Sequence, residues 1–400
     1  MSGEVIASRL DTSCPACGGH GLEGFYRQTG VPSHSCLLMS SEQEAQGFPR
    51  GDVELGLCRR CGFICNAVVD MSLQAYSSTY EETQGFSPRF QQFAHDLAQR
   101  VVEKYDVRGK DVLEIGCGKG EFLVDLCEIG GNRGVGVDPA IVEERVETSA
   151  EVRFIADYWS ERYADLTGDL IVCRHTLEHV QPVGDFMRLL RRTISDRLDT
   201  VVLFELPDVM RVLRETAFWD IYYEHCSYFT PGSLARLFRQ TGFEVLDLAL
   251  DYDDQYILIE ARPVVEGAGG GDPLPLEEEP QETARAVDDF RRDLAARLAG
   301  WRERLERERS GGRRTVLWGS GSKGVAFLNT LSIENEVEVV VDINPFKHGK
   351  YMAGTAQRIV APDFLREYRP DLVIAMNPIY RDEIGRDLES MGVPAELTAV

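Results

Sequence analysis

Four cysteines near the start of this 400-residue chain are spaced as metal ligands. Cys14 and Cys17 form one C-x-x-C pair, Cys58 and Cys61 form another, and a glycine follows each pair. Two such pairs let four thiolates converge tetrahedrally on one Zn²⁺ ion, and the glycine relieves the tight turn behind each pair. A redox-active pair is the alternative. The repeated pattern favours a structural zinc site without an open coordination position.

A glycine-rich loop follows the apolar residues 112–115 (VLEI). It contains Gly116, Gly118 and Gly120, and glycines let a backbone pass close to a ligand above the carboxyl end of a strand. Its spacing is not the G-x-G-x-x-G of dinucleotide sites, and the acidic Glu114 precedes it. Such a loop is less suited to a diphosphate.

Acidic residues follow the next two predicted strands. Asp138 comes directly after residues 134–137 (GVGV), where a carboxylate can accept hydrogen bonds from both hydroxyls of a ribose. Asp157 lies at the end of the third strand, a position suited to an adenine amino group.

Residues 222–230 (YYEHCSYFT) concentrate acid–base side chains among aromatic ones. His225, beside Glu224 and close to Tyr222, can be poised near neutral pH to remove or deliver a proton. A structural histidine packed in an aromatic corner is the alternative.

A second glycine motif lies in residues 316–324 (VLWGSGSKG) and does have G-x-G-x-x-G spacing. Three side chains at the start of the helix that follows could hold a diphosphate: Ser320, Ser322 and Lys323. Asn344 follows the next strand and could line the same crevice. An acidic residue at that strand end would also suit NAD, so a dehydrogenase domain is an alternative.

The elements that must position these residues alternate between strand and helix. Strands are predicted at 111–115, 133–137, 152–155, 170–173 and 200–205, with helices at 74–105, 121–129 and 185–194. This alternation predicts an α/β fold with a doubly wound, Rossmann-like parallel sheet. A linker rich in Gly, Pro and Glu precedes a long charged helix at 284–309, whose apolar face could pack between domains, and a second Rossmann-like unit follows. The expected domains are a zinc-binding domain (1–70), a core (71–262), a linker with a long helix (263–310) and a C-terminal domain (311–400).

Composition excludes several classes of protein. The chain is 43% hydrophobic and 27% charged, as in ordinary globular proteins. Its net charge of −23 makes nucleic acid and anionic membranes poor partners. No apolar run approaches the roughly 18 residues of a spanning helix, and no apolar signal segment is recognisable at the N-terminus. A cytoplasmic protein, monomeric or homodimeric, acting on a small molecule is expected.

The central motifs together resemble class I S-adenosylmethionine-dependent methyltransferases. The resemblance rests on residues 114–120 (EIGCGKG), Asp138, Asp157 and residues 171–180 (IVCRHTLEHV). It implies that Glu114 and the glycines lie near the methionine part of S-adenosylmethionine and that Asp138 binds the ribose. His175, within the last motif, is assigned to the cofactor site.

The whole chain resembles the three-part C-methyltransferases of antibiotic deoxysugar pathways. That resemblance implies a nucleotide-linked 4-keto sugar as substrate and a C-terminal domain that binds substrate without a cofactor of its own. It assigns catalysis to Glu224 and His225, with Tyr222 two positions earlier and His179 as a second histidine. Tyr76 is expected to cover the cofactor, as is Tyr80.

Other functions remain open at this stage. Residues 253–257 (DDQYI) depart from the Gly-Gly-Ser-like turn of sugar methyltransferases, which leaves the sugar in doubt. O- or N-methylation of another natural-product intermediate is therefore an alternative. Further alternatives are an NAD-dependent oxidoreductase or epimerase that uses the C-terminal domain, and a binding module built on the cysteine pairs.

Overall fold

The computed structural model describes residues 3–74, 76–265, 267 and 270–400. The N-terminal part is an antiparallel sheet with one short helix. Its elements are β1 (Glu4–Ser13), β2 (His20–Pro32), α1 (Glu42–Gln46), β3 (Arg50–Leu57) and β4 (Ile64–Asn66). The cysteine pairs lie in the turns that follow β1 and β3.

The central part contains a seven-stranded sheet covered by helices. Its elements are α2 (Pro88–Tyr105), β5 (Asp111–Ile115), α3 (Glu121–Gly130), β6 (Arg133–Val137), β7 (Glu151–Ile155), β8 (Leu170–Arg174), α4 (Val183–Ile194), β9 (Val201–Pro207), α5 (Val209–Glu215), β10 (Ser227–Tyr228), α6 (Pro231–Gln240), β11 (Phe243–Asp251) and β12 (Tyr256–Pro263). The strand order is β11-β12-β9-β8-β5-β6-β7, and only the β11–β12 and β12–β9 pairs are antiparallel. Strand β8 is buried along its whole length, as expected of a central parallel strand.

The C-terminal part is a five-stranded parallel sheet. Its elements, after the long helix α7 (Pro280–Ser310), are β13 (Thr315–Trp318), α8 (Ser322–Leu331), β14 (Val339–Val341), β15 (Arg358–Val360), α9 (Leu365–Tyr368), β16 (Leu372–Ala375), α10 (Arg381–Met391) and β17 (Glu396–Ala399). The order β15-β14-β13-β16-β17 is doubly wound. The predicted fold class, with two Rossmann-like units, is confirmed.

Helix α7 joins the N-terminal and C-terminal parts through its apolar face. The Phe290 ring contacts Phe25 and Tyr26 of β2, with centroids 6.1 and 6.0 Å apart. About three turns further along α7, Trp301 packs edge-on against Phe327 of α8 at 5.2 Å. The apolar stripe therefore forms a single core with both domains, as predicted.

The predicted helix at 74–105 is wrong in its first part. Helix α2 begins at Pro88, because the Ser87 side chain caps it by accepting from the Phe90 amide, and proline suits the first helical position. Residues 76–87, here called the strap, are irregular and cross the carboxyl edge of the central sheet. Lys119 joins the strap to the core: it donates to the carbonyl oxygen of Tyr80 in the strap and to that of Ala140 after β6, both at 2.7 Å.

The N-terminal sheet and the core share a strand. Strand β10 (residues 227–228), which begins two positions after His225, pairs with β4 as the fifth strand of the N-terminal sheet. This pairing fixes the acid–base segment between the two domains. Among the described helices, none is long and apolar enough to cross a membrane.

Candidate active site

A cavity of about 1520 Å³ lies where the three domains meet. The N-terminal domain contributes Cys36 to its wall, the core contributes Gly116 and His225, and the C-terminal domain contributes Ser322. The cavity opens above the carboxyl ends of the parallel strands, the usual binding position in such sheets.

The glycine-rich loop forms part of the floor of this cavity. Gly116 and Gly118 line it with positive φ angles of 73° and 54°, and a Cβ on Gly116 would lie 1.9 Å from the Thr176 hydroxyl. Gly120 does not line the cavity. A Cβ there would lie 2.6 Å from the ring of Phe154, so a side chain at this position would clash with the core. Of the three glycines, two can approach a ligand, and Gly120 is required for packing.

Two carboxylates, the buried Glu114 and the half-buried Asp138, line the cavity above this loop. Burial raises the pKa of Glu114 to about 8, against the opposing effect of Arg174, and its Oε2 atom has no hydrogen-bond partner among the described residues. Asp138 accepts from the amides of Gly118 and Ala140 at 2.9 and 2.6 Å. A carboxylate has about four lone-pair positions, so Asp138 can also accept two ligand hydroxyls.

Asp157 does not lie in the cavity, and the expectation that it binds an adenine is not supported. Its carboxylate accepts from the Tyr163 hydroxyl at 2.5 Å, from Arg162 at 3.0 Å and from the Tyr158 amide at 2.8 Å. The side chains that follow it, Tyr158 and Trp159, line the cavity instead.

The strap covers one side of the cavity. Tyr76 and Tyr80 pack edge to face with centroids 4.9 Å apart, and both line the cavity. The Tyr76 hydroxyl lies 2.8 Å from Nδ1 of His179. Burial raises the pKa of Tyr76 well above 10, so the phenol keeps its proton at neutral pH.

The predicted acid–base residues Tyr222, His179 and His225 are brought together. The His225 ring lies 4.2 Å from the Tyr222 ring and 4.8 Å from the His179 ring, centroid to centroid. Burial, reinforced by His179, His175 and Lys323, holds the pKa of His225 well below 6.5. His225 is therefore an uncharged imidazole at neutral pH, and burial likewise keeps Tyr222 protonated.

Glu224 was expected to act in catalysis with His225, but no hydrogen bond or ion pair joins its carboxylate to His225 in the described part of the chain. Its buried carboxylate accepts from the amide and hydroxyl of Ser35 in the N-terminal domain, both at 2.8 Å. The Ser35 hydroxyl also lies 2.6 Å from that of Ser322. Glu224 thus connects the catalytic segment to the N-terminal domain, and Ser35 extends the connection to the C-terminal domain.

His175 lines the cavity but is held by acidic neighbours. Its Nε2 lies 2.7 Å from Glu205, which also pairs with Arg174, and its Nδ1 lies 3.5 Å from Glu178. Burial alone would lower the pKa of His175, but the two carboxylates raise it to about 9. Sequence reasoning missed Glu205 and Arg174, although both lie at the ends of predicted buried strands, where a charge signals a site.

The four cysteines of the N-terminal domain are assembled as predicted. The sulfur atoms of Cys14 and Cys61 lie 3.7 Å apart, as do those of Cys17 and Cys58. A tetrahedral ion with Zn–S bonds of about 2.3 Å separates its sulfurs by about 3.8 Å, so the geometry fits. The two turns are alike: the amide of Gly18 donates to the carbonyl oxygen of Cys14, and the amide of Gly62 donates to the carbonyl oxygen of Cys58, both at 2.8 Å.

Three of the four predicted substrate residues of the C-terminal domain line the cavity: Ser322, Lys323 and Asn344. Ser320 does not, because its amide and hydroxyl both donate to Asp342 at 2.9 and 2.5 Å. Lys323 forms an ion pair with Asp220, and Arg211 binds the same carboxylate at 2.7 Å. Sequence reasoning missed Arg211, because it lies in a helix of ordinary composition.

Comparisons with known proteins agree with this architecture. A methyltransferase-domain family matches residues 87–248, and a C-methyltransferase C-terminal domain family matches residues 276–393. The C-methyltransferase NovU of Streptomyces niveus is 25% identical over 362 residues, covering 87% of this chain and 85% of that protein.

Solved structures with a similar fold include two methyltransferases. One is the 1,6-didemethyltoxoflavin-N1-methyltransferase of Burkholderia thailandensis, with 19% identity, a TM-score of 0.33, and coverage of 45% of this chain and 83% of that chain. The other is the magnesium protoporphyrin IX methyltransferase of Synechocystis PCC 6803, with 14% identity, a TM-score of 0.34, and coverage of 44% and 83%. The two family matches follow one another in chain order behind a four-cysteine domain, so the chain is an S-adenosylmethionine-dependent methyltransferase that carries a C-methyltransferase C-terminal domain.

Proposed function

We propose that this methyltransferase methylates the carbon beside the ketone of a nucleotide-linked deoxysugar. The observation that carries the proposal is the environment of His225. Its imidazole is uncharged, it lies beside the Tyr222 phenol, and it shares a cavity with the glycine-rich loop and Asp138. O- and N-methyl transfer have less need of a base buried in this way.

The chemistry begins with removal of a proton from the carbon beside the ketone. His225 accepts that proton, and the electron pair of the C–H bond moves toward the ketone oxygen. Tyr222 donates a hydrogen bond to the developing enolate oxygen. The second histidine, His179, lies beside His225 and contributes to the wall of the same cavity. S-adenosylmethionine, when bound, would supply the methyl group: the nucleophilic carbon would form the new C–C bond while the S–CH3 bond breaks and S-adenosylhomocysteine leaves. His225 then releases its proton to solvent.

The cofactor contacts follow from the shape of the cavity floor. Asp138 binds the ribose hydroxyls, and Gly116 and Gly118 allow the methionine part to lie against the backbone. Glu114 offers its unpartnered Oε2 to a hydrogen-bond donor of the cofactor. Tyr76 covers the cofactor from the strap, and His175 forms part of the wall.

The nucleotide part of the substrate is assigned to the boundary between the core and the C-terminal domain. Lys323 and Arg211 both bind Asp220, and Arg211 also binds Glu215 at 2.7 Å, so these carboxylates hold the two cationic side chains in place at the cavity wall. The first turn of α8, with Ser322, adds backbone amides that suit a phosphate. Asn344 lies on the same side of the cavity.

The N-terminal domain completes the proposal. A Zn²⁺ ion bound by the four cysteines is structural, because no coordination position remains open for a substrate. The acidic surface and the small-molecule cavity are consistent with a cytoplasmic enzyme that does not bind nucleic acid.

Proton exchange tests the role of His225 without requiring methyl transfer. The wild-type protein should exchange the proton beside the ketone of a thymidine-diphosphate 4-keto sugar with deuterium from solvent, as followed by NMR. His225→Ala should slow the exchange by about 10²–10⁴-fold, while the affinity for S-adenosylhomocysteine is retained. His20→Ala, at an exposed histidine, is the matched control. Exchange at the wild-type rate in His225→Ala would move the base to another residue.

A further inference from the structure

A second group of metal-binding side chains lies in the cavity, apart from the four cysteines. One potential ligand atom from each of Glu178, His179 and His225 lies within 4.8 Å of the others. Glu178 and His179 belong to the short helical turn after β8, and His225 lies two positions before the start of β10. We propose that these three side chains bind a divalent transition-metal ion, and that this binding inhibits methyl transfer.

Glu178 is the first reason for the proposal. Its side chain is only 3% exposed, and neither carboxylate oxygen has a hydrogen-bond partner among the described residues. The nearest positive group is Nδ1 of His175 at 3.5 Å, beyond a good hydrogen bond. The charge of His175 offsets part of the cost of burying this carboxylate, but both oxygens lack a hydrogen-bond donor among the described residues, and a cation in the cavity would supply the missing partner.

The two histidines are oriented as metal ligands. Nδ1 of His179 lies 3.1 Å from the backbone carbonyl oxygen of Glu224 and 2.8 Å from the Tyr76 hydroxyl. A proton on Nδ1 donates to that carbonyl, so the lone pair is on Nε2; metal-binding histidines are commonly held in this way. No hydrogen bond within the described part of the chain occupies a ring nitrogen of His225.

Two imidazoles and one carboxylate are a donor set typical of Zn²⁺ sites with open positions, and it also suits Co²⁺. Bonds of about 2.1 Å in tetrahedral geometry separate such donors by about 3.4 Å, so modest side-chain rotations complete the site. A metal bound there uses the lone pair with which His225 accepts the substrate proton. The inhibition, though not the metal site itself, rests on the role of His225 in the proposed function.

Metal binding is measured first, on the full chain with its cysteine site already loaded with zinc. Co²⁺ titration should reveal one further ion per chain, with d–d absorption of a nitrogen–oxygen site and no thiolate charge-transfer band. Glu178→Gln should weaken this binding at least about tenfold, because the only carboxylate ligand loses its charge. Glu82→Gln is the matched control, since Glu82 is a half-buried carboxylate that also lines the cavity but lies outside the group. Equal Co²⁺ affinity in wild type and Glu178→Gln overturns the site.

Inhibition is measured second, relative to the metal-free rate of each variant. Zn²⁺ should inhibit the wild type reversibly, EDTA should restore the rate, and the inhibition constant should rise at least about tenfold in Glu178→Gln but not in Glu82→Gln. Activation by Zn²⁺, or a rate unaffected by a bound ion, overturns the inhibitory role. Because Co²⁺ binding is read by absorption, a failure of the proposed C-methylation leaves the test of the metal site intact.

Discussion

The contact between Glu224 and Ser35 gives a prediction that separates two roles for this carboxylate. A carboxylate that joins two domains stabilises the fold, whereas one that orients His225 raises the turnover number. The structure favours the first role, because the Glu224 side chain is buried and accepts two hydrogen bonds from Ser35 at 2.8 Å. Ser35→Ala removes the hydroxyl bond to Glu224, together with the contact to Ser322, and leaves the amide bond to Glu224 in place.

The magnitude follows from the two hydrogen bonds. A hydrogen bond to a charged group contributes about 1.5–3 kcal/mol, so Ser35→Ala should lower the free energy of unfolding by about that amount. Glu224→Ala loses both bonds, about 3–6 kcal/mol, and leaves the Ser35 amide buried without an acceptor. The double variant should reveal a coupling energy of about 1.5–3 kcal/mol, because the same hydroxyl bond is counted in both single variants.

Urea unfolding of the four proteins, followed by circular dichroism, measures this cycle. Ser33→Ala is the control: Ser33 is also buried nearby, but its hydroxyl has no partner among the described residues, so its removal should change stability little. Turnover of Ser35→Ala should fall by less than about tenfold, well short of the loss expected for a missing general base. A coupling energy below about 0.5 kcal/mol, together with a Glu224→Gln turnover as low as that of His225→Ala, would refute the reasoning.

Three further predictions address the zinc, cofactor and base sites. Cys58→Ser should lower the melting temperature and the zinc content together, since the remaining three sulfurs cannot complete the coordination of the ion. A zinc content and a melting temperature equal to those of the wild type would exclude the four-cysteine zinc site. Asp138→Ala should weaken S-adenosylmethionine binding by the loss of two hydrogen bonds to a carboxylate, each about 1.5–3 kcal/mol, in isothermal titration calorimetry; unchanged affinity would remove Asp138 from the site. The pH profile of kcat/KM should keep its plateau below pH 6.5, because burial lowers the pKa of His225 and the active, neutral form persists to more acidic pH. An acidic limb at pH 7 or above would contradict this assignment.

Much of the fold could be predicted because the central strands have a local signature. Residues 111–115 and 133–137 were predicted with the bounds that the structure shows, since short apolar runs between glycine-rich turns are typical of buried parallel strands. The strap was predicted wrongly as helix. The Ser87–Pro88 cap and the contact of Lys119 with the Tyr80 carbonyl of the strap outweigh the weak helical pattern there.

The candidate site was predictable only where backbone position determines function. The cysteine pairs, the glycine loop and Asp138 lie at strand ends or in turns whose geometry follows from local sequence, so spacing sufficed to identify them. Asp157 and Ser320 have plausible positions as well, but neighbouring side chains bind them and turn them away from the cavity. Such competition for hydrogen bonds is not visible in spacing.

The sequence by itself determined the order of the domains, the class of the central sheet and the residue types available for chemistry. Only the tertiary structure decided which of those residues meet. Glu224 and His225 are adjacent in the chain, yet one side chain contacts the N-terminal domain and the other faces the cavity. Glu178 and His225 lie far apart in sequence and are brought together. The physical reason is that side-chain direction depends on long-range packing, here the pairing of β10 with β4, whereas strands and turns form from neighbouring residues.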